Sequence, residues 1–518
     1  MKKFQPLIYA LLICAGILIG GINSSPTGER GNNKINGILN LINQHYVDTI
    51  NTADFESKTI NAILNELDPH SAYIPVKKYK AVEEDMQGSF SGIGVQFNII
   101  DDSIVVISAI SGGPSEKLGI QSGDRIVSVE NEDVASTGIN NEGVIKRLRG
   151  KKGSLVSINI KRRGQNELIP FAIIRDDIPL YSVDAGIMLQ DDIGYLKINR
   201  FAATTYDEMM EKVESLQKEG MQKLILDLRG NPGGYLHIAN QMCDEFLKDG
   251  ELIVFTKGRK RSKEEVFATG KGQLEDINII VLIDEGSASA SEIVSGAIQD
   301  NDRGMVIGRR SFGKGLVQEQ IAMNDGSVIR LTTQRYYTPS GRCIQKEYEN
   351  NKKDYYLEQY TRDKKIKHPD SLIYTTKNGR TVYGGGGITP DIIIKRDSLV
   401  NYVQINLMVS KGWVNEFCLN ESIGLKKLKI GNSKKLFLAS EDQDEIYDRF
   451  SDFIKQKDKK FKLSIGEMEL VYFKNFLKAT IARNLWDNDV YYSLLSAEDT
   501  FVQRAISELS LLKEKDIN

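Results

Sequence analysis

Residues 277–300 read INIIVLIDEGSASASEIVSGAIQD. The opening run, 277–283, is almost continuously apolar, which is the pattern of a strand buried on both faces. After a turn at 284–288 a helical period begins, with Ile293, Val294, Ala297 and Ile298 on one face. A buried strand that passes through small residues into a helix is the repeating piece of an α/β core with a covered, partly parallel sheet.

Two more turns of the same core stand out. Residues 227–234, DLRGNPGG, end the apolar strand 224–228 and precede another helix. Glycine lets such a turn aim backbone N–H groups at a carbonyl oxygen, and the same composition also suits a plain tight connection. The serines at 287, 289 and 291 sit where a helix N-terminus offers free N–H groups and partial positive charge to a developing oxyanion, and they equally suit a helix cap. Residues 308–314 match G-x-x-x-x-G-K, but Gly315 stands where a nucleotide-binding loop needs Ser or Thr, and Leu316-Val317-Gln318 leans towards strand. Nucleotide binding is disfavoured.

Outward from this core the texture changes. Residues 88–177 carry short β-rich runs (94–100, 104–110, 124–129, 155–161) and one helix at 141–148, a mostly β module. Between 34 and 64 apolar residues recur at helical spacing, and the pattern stops at the turn-like 67–71. The start, Met-Lys-Lys followed by an apolar run of 16 residues at 7–22, has the form of a secretory signal or a short membrane anchor. A spanning helix needs about 20 residues, so both readings stay open. Beyond 398 the segments 445–455, 470–486 and 500–512 are amphipathic and predict a helical domain without chemical signal.

Lys plus Arg (68) balances Asp plus Glu (70), which argues against a nucleic-acid partner. Cys14, Cys243, Cys343 and Cys418 show no disulfide or zinc spacing, and none of the histidines, His45, His70, His237 and His368, stands in H-E-x-x-H. No metal or other cofactor is expected. Ser289 lacks the G-x-S-x-G elbow, and only His368 follows it, in a charged stretch. A serine nucleophile here needs a base other than histidine.

Five segments in order, DPHSAY (68–73), DLRGNPGG (227–234), GSASASEI (286–293), GKGLVQ (313–318) and GITPD (387–391), resemble the carboxyl-terminal processing peptidases, or tail-specific proteases. The resemblance covers about residues 35–395 and leaves 399–518 outside it. It implies a nucleophile at Ser289, a lysine base at Lys314, 25 residues later, an orienting glutamine at Gln318, and an oxyanion hole formed by the N–H groups of Gly234 and Ala290. A lysine with a pKa of about 10.4 is nearly all protonated at neutral pH, so Lys314 must be buried to serve. On a straight strand Lys314 and Gln318 would sit about 13 Å apart, so contact between them requires a bend, expected at Gly315.

The β module resembles a PDZ domain, with the carboxylate-binding loop at Gly92, Ile93, Gly94 and Val95. Its apolar pocket is expected to use Ile93, Val95, Phe97, Val144 and Leu148. Together with the residue patterns at either end, the resemblance leads to the expectation of a multidomain α/β chain: signal peptide or anchor (1–23), helical N-terminal region (31–87), PDZ domain (88–177), α/β serine protease core (178–398) and helical C-terminal domain (399–518). It further implies endoproteolysis of exported proteins near free C-termini, in the periplasm, with membrane attachment through 7–22 and homo-oligomerisation left open. A PDZ adaptor with an inactive protease core is the alternative.

Overall fold

In a computed structural model of the chain, residues 33–348, 352–361, 370–395, 402–428, 433–440 and 442–515 are described. The chain forms two compact units, Met1–Glu66 and Leu67–Asn518. The described part of the first consists of the helices Asn33–His45 and Thr52–Asn65, the second of them capped where Asn51 accepts the N–H of Asp54.

The second unit is organised on a six-stranded sheet in the order Val183–Gln190, Ile193–Ile198, Lys223–Asp227, Asn278–Ile283, Met305–Gly308, Ile392–Ile393. The first pair is antiparallel and every later pair parallel. Strands this apolar need cover on both faces. One face packs the helices Thr205–Lys218, Leu236–Asp244 and Ala290–Asp300 through Met209, Met242, Ile293 and Ile298. The other, carrying Tyr195, Ile225, Ile280 and Leu282, is covered by Phe501, Val502, Ala505 and Leu509 of the Thr500–Lys515 helix. Burying a Phe or Leu side chain contributes ~2 kcal/mol, so that helix is held by the sheet. The helices between Val403 and Ser496 build a core of their own around Phe417, Phe450, Phe473 and Leu477.

A second, antiparallel sheet carries the order Ala72–Ile74, Val328–Tyr337, Leu252–Lys257, Glu264–Phe267, with Leu316–Ala322 paired to Val328–Tyr337. The register of that last pair slips between Val317 and Gln318. Gly315 stands just ahead of the strand, and its N–H donates to Gln345 Oε1.

The β module is an antiparallel sheet, Val95–Ile100, Ser103–Ala109, Arg125–Val129, Leu155–Lys161, Leu168–Ile174, closed by the helix Asn141–Leu148. It joins the rest through a two-stranded stem, Ser89–Gly92 paired with Asp176–Pro179. Its far side meets the C-terminal helices, where Ile100 and Val105 pack with Leu419 and Lys457 pairs with Asp101.

Candidate active site

The turns 227–234, 284–289 and 309–314, each following a parallel strand, meet at the C-terminal ends of those strands. Of the serines at 287–291, two are consumed by backbone. Ser287 Oγ donates to Leu228 O at 2.8 Å and Ser291 Oγ to Asn231 O at 2.9 Å, and both residues are buried. Ser289 remains partly exposed. It stands at the N-cap of Ala290–Asp300 with φ 56° and ψ −113°, a strained conformation that a non-glycine residue keeps only when its surroundings enforce it.

The glycine turn is one of those surroundings. Ala288 N–H donates to Asn231 O, and Asn231 Nδ2 ties the turn to Ile198 O. A Cβ on Gly233 would lie 2.8 Å from the Cβ of Ser289, and one on Gly234 would lie 2.1 Å from Phe201 O, so both positions require glycine. Gly234 is exposed beside the serine turn, and among the described residues neither its N–H nor that of Ala290 has an acceptor.

Lys314 reaches the site from the loop between Met305–Gly308 and Leu316–Ala322. Burial, helped by the positive Arg330 and opposed by Glu292 and Asp68, lowers its amine from 10.5 to about 8. Two residues that the sequence reading missed fix its place. Glu292, wholly buried, accepts the N–H of Ser289 on Oε2 at 2.8 Å and the N–H of Lys314 on the same oxygen at 2.9 Å. The hydroxyl of buried Tyr336 lies 3.1 Å from Ser289 O and 2.6 Å from Lys314 O. Glu292 was legible, since Ser-x-x-Glu is capping-box spacing; Tyr336 had no signal.

Gln318 donates from Nε2 to Thr332 Oγ1 at 3.4 Å. Thr332 N–H donates to Ser71 Oγ at 3.1 Å, and Ser71 Oγ donates to Asp68 Oδ2 at 2.6 Å, so the 68–73 motif braces this strand pair. Burial opposes ionisation of Asp68, but hydrogen bonds from Ser71 and from the His70 N–H more than offset it and hold the carboxyl below its usual range. His70 bonds Tyr355 OH through Nε2 at 2.8 Å. Burial and the neighbouring Lys314 charge push its pKa down to about 3, which leaves a neutral and weakly basic ring. His368 lies outside the described residues.

In the β module a groove of about 300 Å³ is lined by Phe90, Ile93, Gly94, Val95, Gln96, Phe97, Ile145, Leu148 and Arg149. Val144 does not line it. That side chain is fully buried in the module's core, and helical rotation brings Ile145 to the groove beside Leu148. Gly92 ends the stem strand, and the φ of +73° at Gly94 turns the chain into the groove.

Residues 192–355 match the model of peptidase family S41, and residues 91–171 match that of the PDZ domain. The chain is 36% identical to a carboxy-terminal-processing protease of Bartonella bacilliformis, over 67% of this chain and 80% of that protein. It is 33% identical to the carboxy-terminal processing proteases CtpB (62% of this chain, 66% of the relative) and CtpA (67% and 76%) of Bacillus subtilis. With a PDZ domain beside an α/β peptidase core, the chain belongs to the carboxy-terminal processing proteases, serine-type endopeptidases of family S41.

Proposed function

We propose that Ser289 is the nucleophile of this peptidase and Lys314 its general base. The observation that carries the reading is the shared Glu292 oxygen, which fixes the strained serine and the lysine loop to one atom. Neutral Lys314 takes the hydroxyl proton as Ser289 Oγ attacks the scissile carbonyl, and the resulting ammonium returns that proton to the leaving amine. The N–H groups of Gly234 and Ala290 receive the oxyanion, with the N-terminal end of Ala290–Asp300 adding positive potential. Gln318 orients the lysine without adding charge. Water then releases the acyl group from Ser289 by the same steps.

Capture of a free C-terminus by the PDZ groove fits its apolar lining and its position beside the 93–95 loop. Residues 1–23 fit export to the periplasm, either as a removed signal or as a retained anchor. They lie outside the described residues, and no described helix is long and apolar enough to cross a membrane.

The test is cleavage of an unfolded reporter that ends in a free carboxylate. Ser289→Ala and Lys314→Ala should each abolish nearly all turnover, and the double variant should be hardly worse than either. Substantial activity in Ser289→Ala would sink the assignment.

A further inference from the structure

Residues 488–515 lie beyond the family motifs, yet they reach the active-site loops. The Asn488–Ser496 helix and the start of Thr500–Lys515 line an open cleft of about 220 Å³ that also borders Asp227, Arg229 and Arg309. Two guanidinium groups lie over the ring of Phe501, that of Arg229 at 4.7 Å and that of Arg309 at 4.8 Å from its centre. Asp499 grips Arg229 with both oxygens, Oδ1 accepting from Nη1 at 3.0 Å and Oδ2 pairing with Nη2 at 2.8 Å. Its Oδ1 also accepts the N–H of Phe501 at 2.9 Å, which fixes the ring relative to the carboxylate.

The two arginines belong to catalytic loops. Arg229 stands in the turn that ends at Gly234, where Asp227 also holds its Nε at 3.0 Å. Arg309 opens the loop that carries Lys314, and its Nε donates at 2.8 Å to Glu285, in the turn that ends at Ser289. A single ring thus bears on all three loops that converge on the reaction.

We infer that Asp499 and Phe501 are positioning residues for the peptidase site, holding Arg229 and Arg309, and through them the three loops, at the separation the reaction needs. This rests on Ser289 and Lys314 being nucleophile and base. A flat π face attracts guanidinium groups in a way that an aliphatic side chain of similar bulk does not, whereas either suffices to fill the sheet's apolar face.

The full chain should be compared with Phe501→Leu, Phe501→Tyr and Asp499→Asn by kcat and KM on a fluorogenic peptide ending in a free carboxylate. Melting temperature and labelling by a serine-reactive fluorophosphonate complete the set. The inference expects Phe501→Leu and Asp499→Asn to lose about tenfold in kcat with KM within about twofold. Labelling should slow in parallel, melting should stay close to the parent, and Phe501→Tyr should act like the parent. Parental kcat in Phe501→Leu overturns the inference, as does a loss shared equally by the tyrosine variant or one that falls on KM. If Phe501→Leu melts early, the isosteric Asp499→Asn decides, and parental kcat there overturns the inference. Failure of the underlying reading is separately visible, because the parent would then go unlabelled or Ser289→Ala would still cleave.

Discussion

The N–H of Ser289 and the N–H of Lys314 end on the same atom, Glu292 Oε2, at 2.8 and 2.9 Å. The other oxygen of Glu292 takes the hydroxyl of Ser311 and the N–H of Gly313. Four donors converge on one buried carboxylate, which matches its acceptor capacity. Glu292→Gln keeps the shape but turns an NH₂ towards two of those donors, and each mispaired buried group costs about 1–3 kcal/mol. We expect kcat/KM to fall at least about tenfold in this variant while the pH at which activity rises does not move up, because the lost charge had favoured the protonated lysine. A variant with parental kcat/KM would remove Glu292 from the positioning of the pair.

The lowered pKa of Lys314 gives the pH profile its sign. Only the neutral amine can accept the serine proton, so cleavage should climb with pH through a single step near 8 and then level off. His70, neutral down to about 3, would produce no step in that range. Lys314→Arg, which stays charged throughout, should be inactive at every pH tested. A profile already flat between pH 6 and 9 would contradict the lysine base.

The same burial costs stability. The folded amine titrates near 8 and the unfolded one near 10.5, so the unfolded state binds more protons between these values and stability rises with pH across that window. Below about pH 8 the charged lysine carries its whole penalty. Lys314→Met should therefore be inactive yet more stable at pH 7, by about 1–3 kcal/mol in denaturant unfolding, and the gap should close towards pH 11. A gap that stays constant with pH would mean that the gain comes from packing rather than from the charge.

Continuous apolar strands and the serine and glycine turns made the α/β core legible, because a parallel sheet leaves a local pattern at each strand and turn. Ser289 was distinguishable from Ser287 and Ser291 by resemblance alone; in the structure the reason is physical, since both neighbours are buried and bonded to backbone. What stayed hidden depends on contacts distant in sequence. Tyr336 and Asp499 look like any strand tyrosine or helix-capping aspartate until the fold brings them to the loops. The second cover of the central sheet was equally invisible, as Phe501, Val502, Ala505 and Leu509 read as an ordinary amphipathic stripe. Val144 shows the limit of periodicity on a short helix: apolar residues on adjacent positions mark a buried side without saying which of them meets the groove.

Gln318 sits just past the register slip, with its amide on Thr332 Oγ1. If it orients Lys314, Gln318→Ala should lower kcat by about tenfold with little change in peptide binding. Thr332→Val removes the hydroxyl that holds the amide and should give a smaller loss in the same direction. Equal kcat in parent and Gln318→Ala would leave Gln318 a strand residue with no part in the reaction.

The PDZ groove offers the last test. Its lining is apolar along Ile93, Val95, Phe97, Ile145 and Leu148, and at one end Arg149 lies 3.9 Å over the Phe90 ring while pairing with Glu84 at 2.7 Å. An extended peptide that adds to the Val95–Ile100 strand would place its last side chain on the apolar floor and its carboxylate against the 93–95 loop. Ile145→Asp puts a charge on that floor from an exposed position, so the fold is spared while an apolar C-terminal residue is repelled. Val144→Ala, by contrast, removes buried core volume and should cost about 1–2 kcal/mol of stability with little direct effect on the peptide. Binding of a fluorescent peptide ending in an apolar residue should weaken at least about tenfold in Ile145→Asp and by a similar factor when the parent meets the amidated peptide. If amidation changes nothing while Ile145→Asp still weakens binding, the groove holds an internal segment of the substrate and the carboxylate plays no part in capture.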